Sequence, residues 1–158
     1  MTPDKAEKPI ILIVDDDASI CETLSTILQQ EGYRVDTAKN GKEAIQKAKA
    51  RFFNLALLDI KLPDMKGTQL LTTINENLPK MRKIMLTGYP ALENAVEALN
   101  QGADAYIIKP VKPERLLTII KEQLDKQKQN DKITEEKVTN WIKTRARKLE
   151  DQNHQNQK

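Results

Sequence analysis

Leu55-Ala56-Leu57-Leu58-Asp59-Ile60-Lys61-Leu62-Pro63-Asp64-Met65-Lys66-Gly67 is the stretch whose reading decides the fold. The run from Phe52 to Leu58 places apolar residues on both of its faces, which describes a strand buried on both sides. A carboxylate inside such a strand would lose its hydration without compensation. Asp59 is therefore expected at the open end of the strand. Behind it, Asp64 and Gly67 read as plain turn residues.

The same grammar repeats on either side. Ile10 to Val14 is a short β-branched run and reads as a strand, followed by a helical face of Ile20, Leu24, Ile27 and Leu28 that Gly32 ends. Tyr33 to Ala38 is a second strand; Asn40-Gly41 signals a turn, and Ala44, Ile45 and Ala48 mark a short helix. After Gly67, Leu70, Leu71 and Ile74 share an inward face up to Pro79. Lys83 to Leu86 makes a fourth strand. Leu92, Ala95, Val96 and Leu99 predict an amphipathic helix stopped by Gly102. Ala105 to Ile108 is a fifth strand, and Pro113 opens a helix with Leu116, Leu117, Ile120 and Leu124 along one stripe. Five strands alternating with five helices call for an α/β fold, a doubly wound (βα)5 unit with a parallel five-stranded sheet and right-handed crossovers.

Composition narrows the class. With 158 residues, 39% hydrophobic and 31% charged, the chain has room for one ordinary domain and a short appendage. Cys21 is the single cysteine, so no internal disulfide forms, and a reducing, cytoplasmic setting is expected. Met1 to Pro9 is polar and unlike a signal peptide, and no stretch reaches the roughly 20 apolar residues of a membrane span. The net charge of +3 comes wholly from residues 125–158, which carry nine Lys and Arg against six Asp and Glu. So small an excess argues for a solvated helix face before it argues for nucleic acid.

In an open parallel sheet, ligands bind beyond the carboxyl ends of the strands. Strand one ends in Asp15-Asp16-Asp17, strand three in Asp59, strand four in Thr87 and strand five in Lys109. Crowded carboxylates raise one another's pKa unless a divalent cation neutralises them, and oxygen-only ligands select a hard ion, Mg2+ or Mn2+. Lys109 and the Thr87 hydroxyl suit phosphoryl oxygens, and Asp59 then becomes a nucleophile that forms an acyl phosphate.

These residues resemble the receiver domain of two-component response regulators, over Lys8 to about Lys126. The resemblance implies the flavodoxin-like strand order 2-1-3-4-5, with Asp59 as phosphoacceptor and Asp15, Asp16, Asp59 and the Lys61 backbone carbonyl around the metal. It makes Thr87 and Tyr106 the switch residues, Lys109 the phosphoryl contact and the peptide bond before Pro110 cis. Lys61 and Tyr89, two residues beyond Asp59 and Thr87, fall where family side chains tune the attack of water; a long cation and a bulky ring there imply slow self-dephosphorylation. Asp17 matches no ligand of the family and is expected at a helix N-cap. The implied protein is a signalling module rather than an enzyme acting on a diffusible substrate. Its partners are a sensor histidine kinase or a histidine phosphotransfer protein, and a downstream protein target.

Two rivals compete with this reading. Asp15-x-Asp17-x-Ser19 resembles the nucleophile motif of haloacid-dehalogenase-type phosphatases, but Ser19 stands where Thr or Val is preferred and no carboxylate follows Lys109 before Glu114. A dinucleotide fold lacks its glycine-rich loop after strand one. The expected partition is a disordered N-terminus at 1–8, the receiver at 9–126, a charged linker and amphipathic helix at 127–150, and a disordered tail at 151–158. Asp125 to Lys132 is charged and Gln-rich and either extends the fifth helix or forms a linker; Thr134 is a plausible N-cap for that extra C-terminal helix, whose Val138, Trp141, Ile142 and Leu149 share a face. Such a helix needs a partner: the receiver, a second copy, or another protein. A homodimer through the last two receiver helices or this helix fits; a membrane does not, and nucleic acid is not expected, with a DNA-binding basic helix kept as the alternative.

Overall fold

A computed structural model of the chain describes residues 8–88 and 92–156. Five strands, β1 (Ile10–Val14), β2 (Arg34–Ala38), β3 (Leu55–Leu58), β4 (Arg82–Thr87) and β5 (Ala105–Ile108), alternate with α1 (Ala18–Gln30), α2 (Gly41–Ala50), α3 (Gly67–Asn77), α4 (Leu92–Asn100) and α5 (Pro113–Asn156). The strands form one sheet in the order β2-β1-β3-β4-β5, and each neighbouring pair is parallel.

Alternation along the strands sends side chains to opposite faces, and two cores result. Leu12, Val14, Ala56, Leu58 and Met85 join Ala44, Ala48, Leu70, Leu71, Ile74 and Ala98 of α2, α3 and α4. Ile11, Ile13, Leu55, Leu57, Ile84 and Ile107 join Leu24 and Leu28 of α1 and Leu116, Ile120 and Leu124 of α5. With helices covering both faces, the central strands β1 and β3 have no polar side to show, which is why they read as continuous apolar runs, whereas the edge strand β2 carries Arg34, Asp36 and Thr37.

Several details differ from the sequence reading. β3 begins at Leu55, not Phe52: Asn54 closes the ladder by giving its backbone N–H to the Ile10 carbonyl while its side chain accepts the Ile10 N–H at 2.9 Å. Phe53 is fully buried beneath the Arg51 guanidinium, but Phe52 is 64% exposed. Among the described side chains of α4 the buried one is Ala98, whose small size lets the helix approach the sheet, and Val96 and Leu99 are half exposed. The side chains of Leu92 and Ala95 lie outside the described set. Asn40 and Gly41 do not make a free turn; Asn40 is the N-cap of α2, accepting the Glu43 N–H at 2.7 Å.

The largest difference is α5. The chain divides into two compact units, Met1–Leu124 and Asp125–Lys158, and the boundary falls inside one helix of 44 residues. No new helix begins at Thr134, whose hydroxyl donates back to the Asn130 carbonyl at 2.9 Å as helix-interior threonines do. Residues 125–133 hold no Gly or Pro and several Lys and Gln, so nothing interrupts the helical ladder. The helix also continues through Asn156, beyond the expected onset of a disordered tail at 151. Residues 1–7 and 157–158, expected to be disordered, lie outside the described residues.

Candidate phosphoryl-acceptor site

The backbone ladder runs one step past the strands at the sheet's carboxyl edge. Asp15 gives its N–H to Ala38 O at 3.1 Å and Asp59 gives its N–H to Val14 O at 3.0 Å, so both carboxylates are held on the sheet rather than on mobile loops. Lys109 is tied in the same way to Thr87 O at 2.7 Å, and its bond to Pro110 is cis. These bonds gather the polar ends of β1, β3 and β5 into one acidic pocket.

Within it, Asp15 is buried, Asp59 is partly buried and Asp16 is exposed, and one oxygen from each lies within 4.8 Å of the others. The Lys109 ammonium stands 2.8 Å from Asp15 Oδ2 and 3.6 Å from Asp59 Oδ2. Burial raises the Asp59 pKa above the ordinary carboxylate value, the Lys109 charge lowers it and the Asp15 charge raises it again, with a net upward shift. Burial alone would lower the Lys109 pKa, but its hydrogen bond to Asp15 and the charges of Asp59 and Asp15 prevail and raise it. The Lys109 charge is therefore fixed by the two acids it faces. A set of three carboxylates with only oxygen donors is the chemistry a hard divalent ion takes, so the residues fit Mg2+.

Thr87, at the end of β4, is fully buried; Tyr106 of β5 is half buried against the core beneath α2–α4, and its phenol pKa is raised by burial. The Lys61 N–H points to Asp59 Oδ1 at 3.4 Å, a long contact. Tyr89 lies outside the described residues. Asp17 does not join the pocket: its side chain accepts the Ser19 and Ile20 amides at 2.9 and 3.2 Å and caps α1.

Two residues taken as plain turn formers carry more. A Cβ on Gly67 would run into the Asp59 carbonyl oxygen and lie 2.8 Å from Ile60 Cα. Only glycine lets α3 start this close to the acid. Asp64 reaches across to α2 and accepts both the Gly41 N–H at 2.8 Å and the Lys42 N–H at 2.9 Å, which lowers its pKa. Spacing gives no warning of either contact, because both partners are remote in sequence or in the backbone.

Known proteins resemble this chain in sequence and in fold. The model of the response regulator receiver domain matches residues 11–121. The chain is 39% identical over 118 residues to the transcriptional regulatory protein ZraR of Klebsiella oxytoca, covering 75% of this chain and 27% of that protein. It is 34% identical over 115 residues to the alginate biosynthesis transcriptional regulatory protein AlgB of Pseudomonas aeruginosa, covering 73% and 26%. The chain thus spans about a quarter of the length of these curated relatives. Among solved structures, a CheY-like receiver domain protein from Methanospirillum hungatei JF-1 is 54% identical with a TM-score of 0.76, over 78% of this chain and 98% of that one. NtrX from Brucella abortus is 31% identical with a TM-score of 0.77, over 80% and 29%. That the curated relatives are transcriptional regulators runs against the expectation that nucleic acid has no part in the output. The sheet order, the matched residues and these likenesses agree: the chain belongs to the receiver-domain family of two-component response regulators and serves phosphorelay signalling.

Proposed function

We propose that Asp59 accepts a phosphoryl group from a phosphohistidine of a sensor kinase or phosphotransfer protein, or from a small acyl phosphate. The observation that carries this reading is the clustering of Asp15, Asp16 and Asp59 oxygens within 4.8 Å, with Lys109 bridging two of them. One Asp59 oxygen attacks phosphorus in line; the P–N bond to the donor imidazole breaks, the nitrogen keeps the electron pair, and an acyl phosphate remains. Transfer through a loose transition state needs alignment and charge neutralisation more than covalent help. Asp15, Asp16, Asp59 and the Lys61 carbonyl would hold Mg2+ or Mn2+, which supplies positive charge to the phosphoryl oxygens. Lys109 then leaves Asp15 for a phosphoryl oxygen and the Thr87 hydroxyl donates to another, vacating space for Tyr106. The result is a population shift on the face of α4, β5 and α5.

Phosphorylation by a small acyl phosphate tests the assignment: the account expects it to vanish in Asp59→Asn and to persist, more slowly, in Asp15→Asn. Loss in Asp15→Asn with retention in Asp59→Asn would indicate a phosphatase-type nucleophile. Lys61 and Tyr89 stand two positions beyond Asp59 and Thr87 in the sequence, where side chains of the family tune the attack of water, so the acyl phosphate is expected to be long-lived. Its decay should quicken in Lys61→Asn; equal decay rates would remove that role.

A downstream protein contacted by the shifted face is the output favoured by the half-exposed Val96, Leu99 and Ile108. The names of the curated relatives favour a second reading, in which the signal ends at DNA. The lone Cys21 fits a reducing cytoplasmic setting for either, and among the described residues no helix is long and apolar enough to cross a membrane.

A further inference from the structure

The loop after Asp59 packs Leu62 and Met65 against the core and is fastened by polar contacts at both ends. At its base the Gly67 N–H donates to Ile60 O at 2.6 Å, and Lys61 pairs with Lys66 in an isolated antiparallel bridge. At its tip, Asp64 spends both carboxylate oxygens on the first two amides of α2, Gly41 and Lys42. Met65 lies so close over Gly41 that a Cβ there would fall 2.6 Å from Met65 Cγ. Helix α2 already has its own cap in Asn40, so Asp64 is a second closure, supplied from the loop.

We infer that Asp64 is a positioning residue for the metal side of the Asp59 pocket. By closing on α2 it fixes the turn that begins at Lys61, and with it the direction of the Lys61 carbonyl. This rests on the reading of Asp15, Asp16, Asp59 and the Lys61 carbonyl as the metal shell. Between Lys61 and Lys66, Leu62 and Met65 pack against the core, and the Asp64 carboxylate adds the polar tie that fixes the loop's tip to α2. Groups that orient a metal ligand without touching the ion typically change affinity by 10- to 100-fold when removed.

Mg2+ binding to the full unphosphorylated chain, measured by calorimetric titration, separates this role from simple helix capping. Asp64→Ala should weaken Mg2+ binding by about 10-fold, and Asp64→Asn, which keeps one acceptor oxygen, should recover part of it. Asn40→Ala removes the acceptor of the Glu43 N–H but keeps the Gly41 and Lys42 amides that Asp64 binds; it should lower thermal stability and leave Mg2+ affinity as in wild type. Unchanged affinity in Asp64→Ala, or an equal loss in Asn40→Ala, would overturn the inference while leaving the metal site standing. A wild-type chain that binds no Mg2+ would overturn both.

Discussion

At the scale of single residues, identical side chains take different parts according to where the backbone leaves them. Asp15 is pinned to β2 through its own amide and sits beneath Lys109; Asp16 faces outward; Asp17 turns back to cap α1. Lysines divide in the same way. Lys109 is kept charged by its acids, whereas Lys83, 1% exposed on β4, has its pKa lowered by burial, with Asp104 opposing and Arg82 reinforcing that shift. Its ammonium reaches Asn75 Oδ1 at 3.0 Å. A lysine with a folded pKa below its unfolded 10.5 releases its proton first in the native state. Between those two values the unfolded chain holds more protons, so stability attributable to Lys83 rises with pH there. Lys83→Met should be more stable than wild type at neutral pH by about 1 kcal/mol. The advantage should shrink as pH climbs toward 10.5. Urea denaturation across alkaline pH checks this, and a variant less stable at every pH would contradict it.

At the scale of elements, the sequence was most legible where burial is two-sided. Strands β1 and β3 carry apolar residues at each position because both faces are covered, and the aspartate that follows each run marks its end; β4 is apolar only from Ile84 to Leu86, between Lys83 and Thr87. The acids and Lys109 could be placed at the sheet's carboxyl edge for that reason. What stayed hidden were contacts made by remote partners: Gly67 against the Asp59 carbonyl, Asp64 against α2, Asn54 ending β3 and leaving Phe52 outside. Helical periodicity named Val96 and Leu99 of α4, which are about half exposed, and passed over Ala98, which is buried against the sheet. The boundary expected at Thr134 rested on a capping residue type that is also tolerated inside a helix when its hydroxyl bonds back along the turn. The continuity of α5 makes a direct prediction. Thr134→Pro interrupts the helix interior at a cost of about 3 kcal/mol and should lower the helical circular dichroism signal while phosphorylation of Asp59 continues unchanged. A spectrum identical to wild type would contradict a continuous helix.

At the scale of the whole molecule, the receiver unit and the helical unit pose different questions. The first has two full cores and a polar edge whose groups converge from three strands. The second is a helix whose larger apolar groups, Ile133, Val138, Trp141, Ile142 and Leu149, are all half exposed or more, with Arg145 laid over the Trp141 ring. On the function proposed above, the signal passes through the chemical state of one side chain, Asp59, at the end of β3. The direct measurement is reductive trapping: the chain is phosphorylated by a small acyl phosphate with Mg2+, reduced with labelled borohydride, digested and mapped by mass spectrometry. The account predicts label at Asp59 alone, and none when Mg2+ is chelated. Label at Asp15, Asp16 or Asp17, or label at Asp59 without any divalent metal, would contradict it.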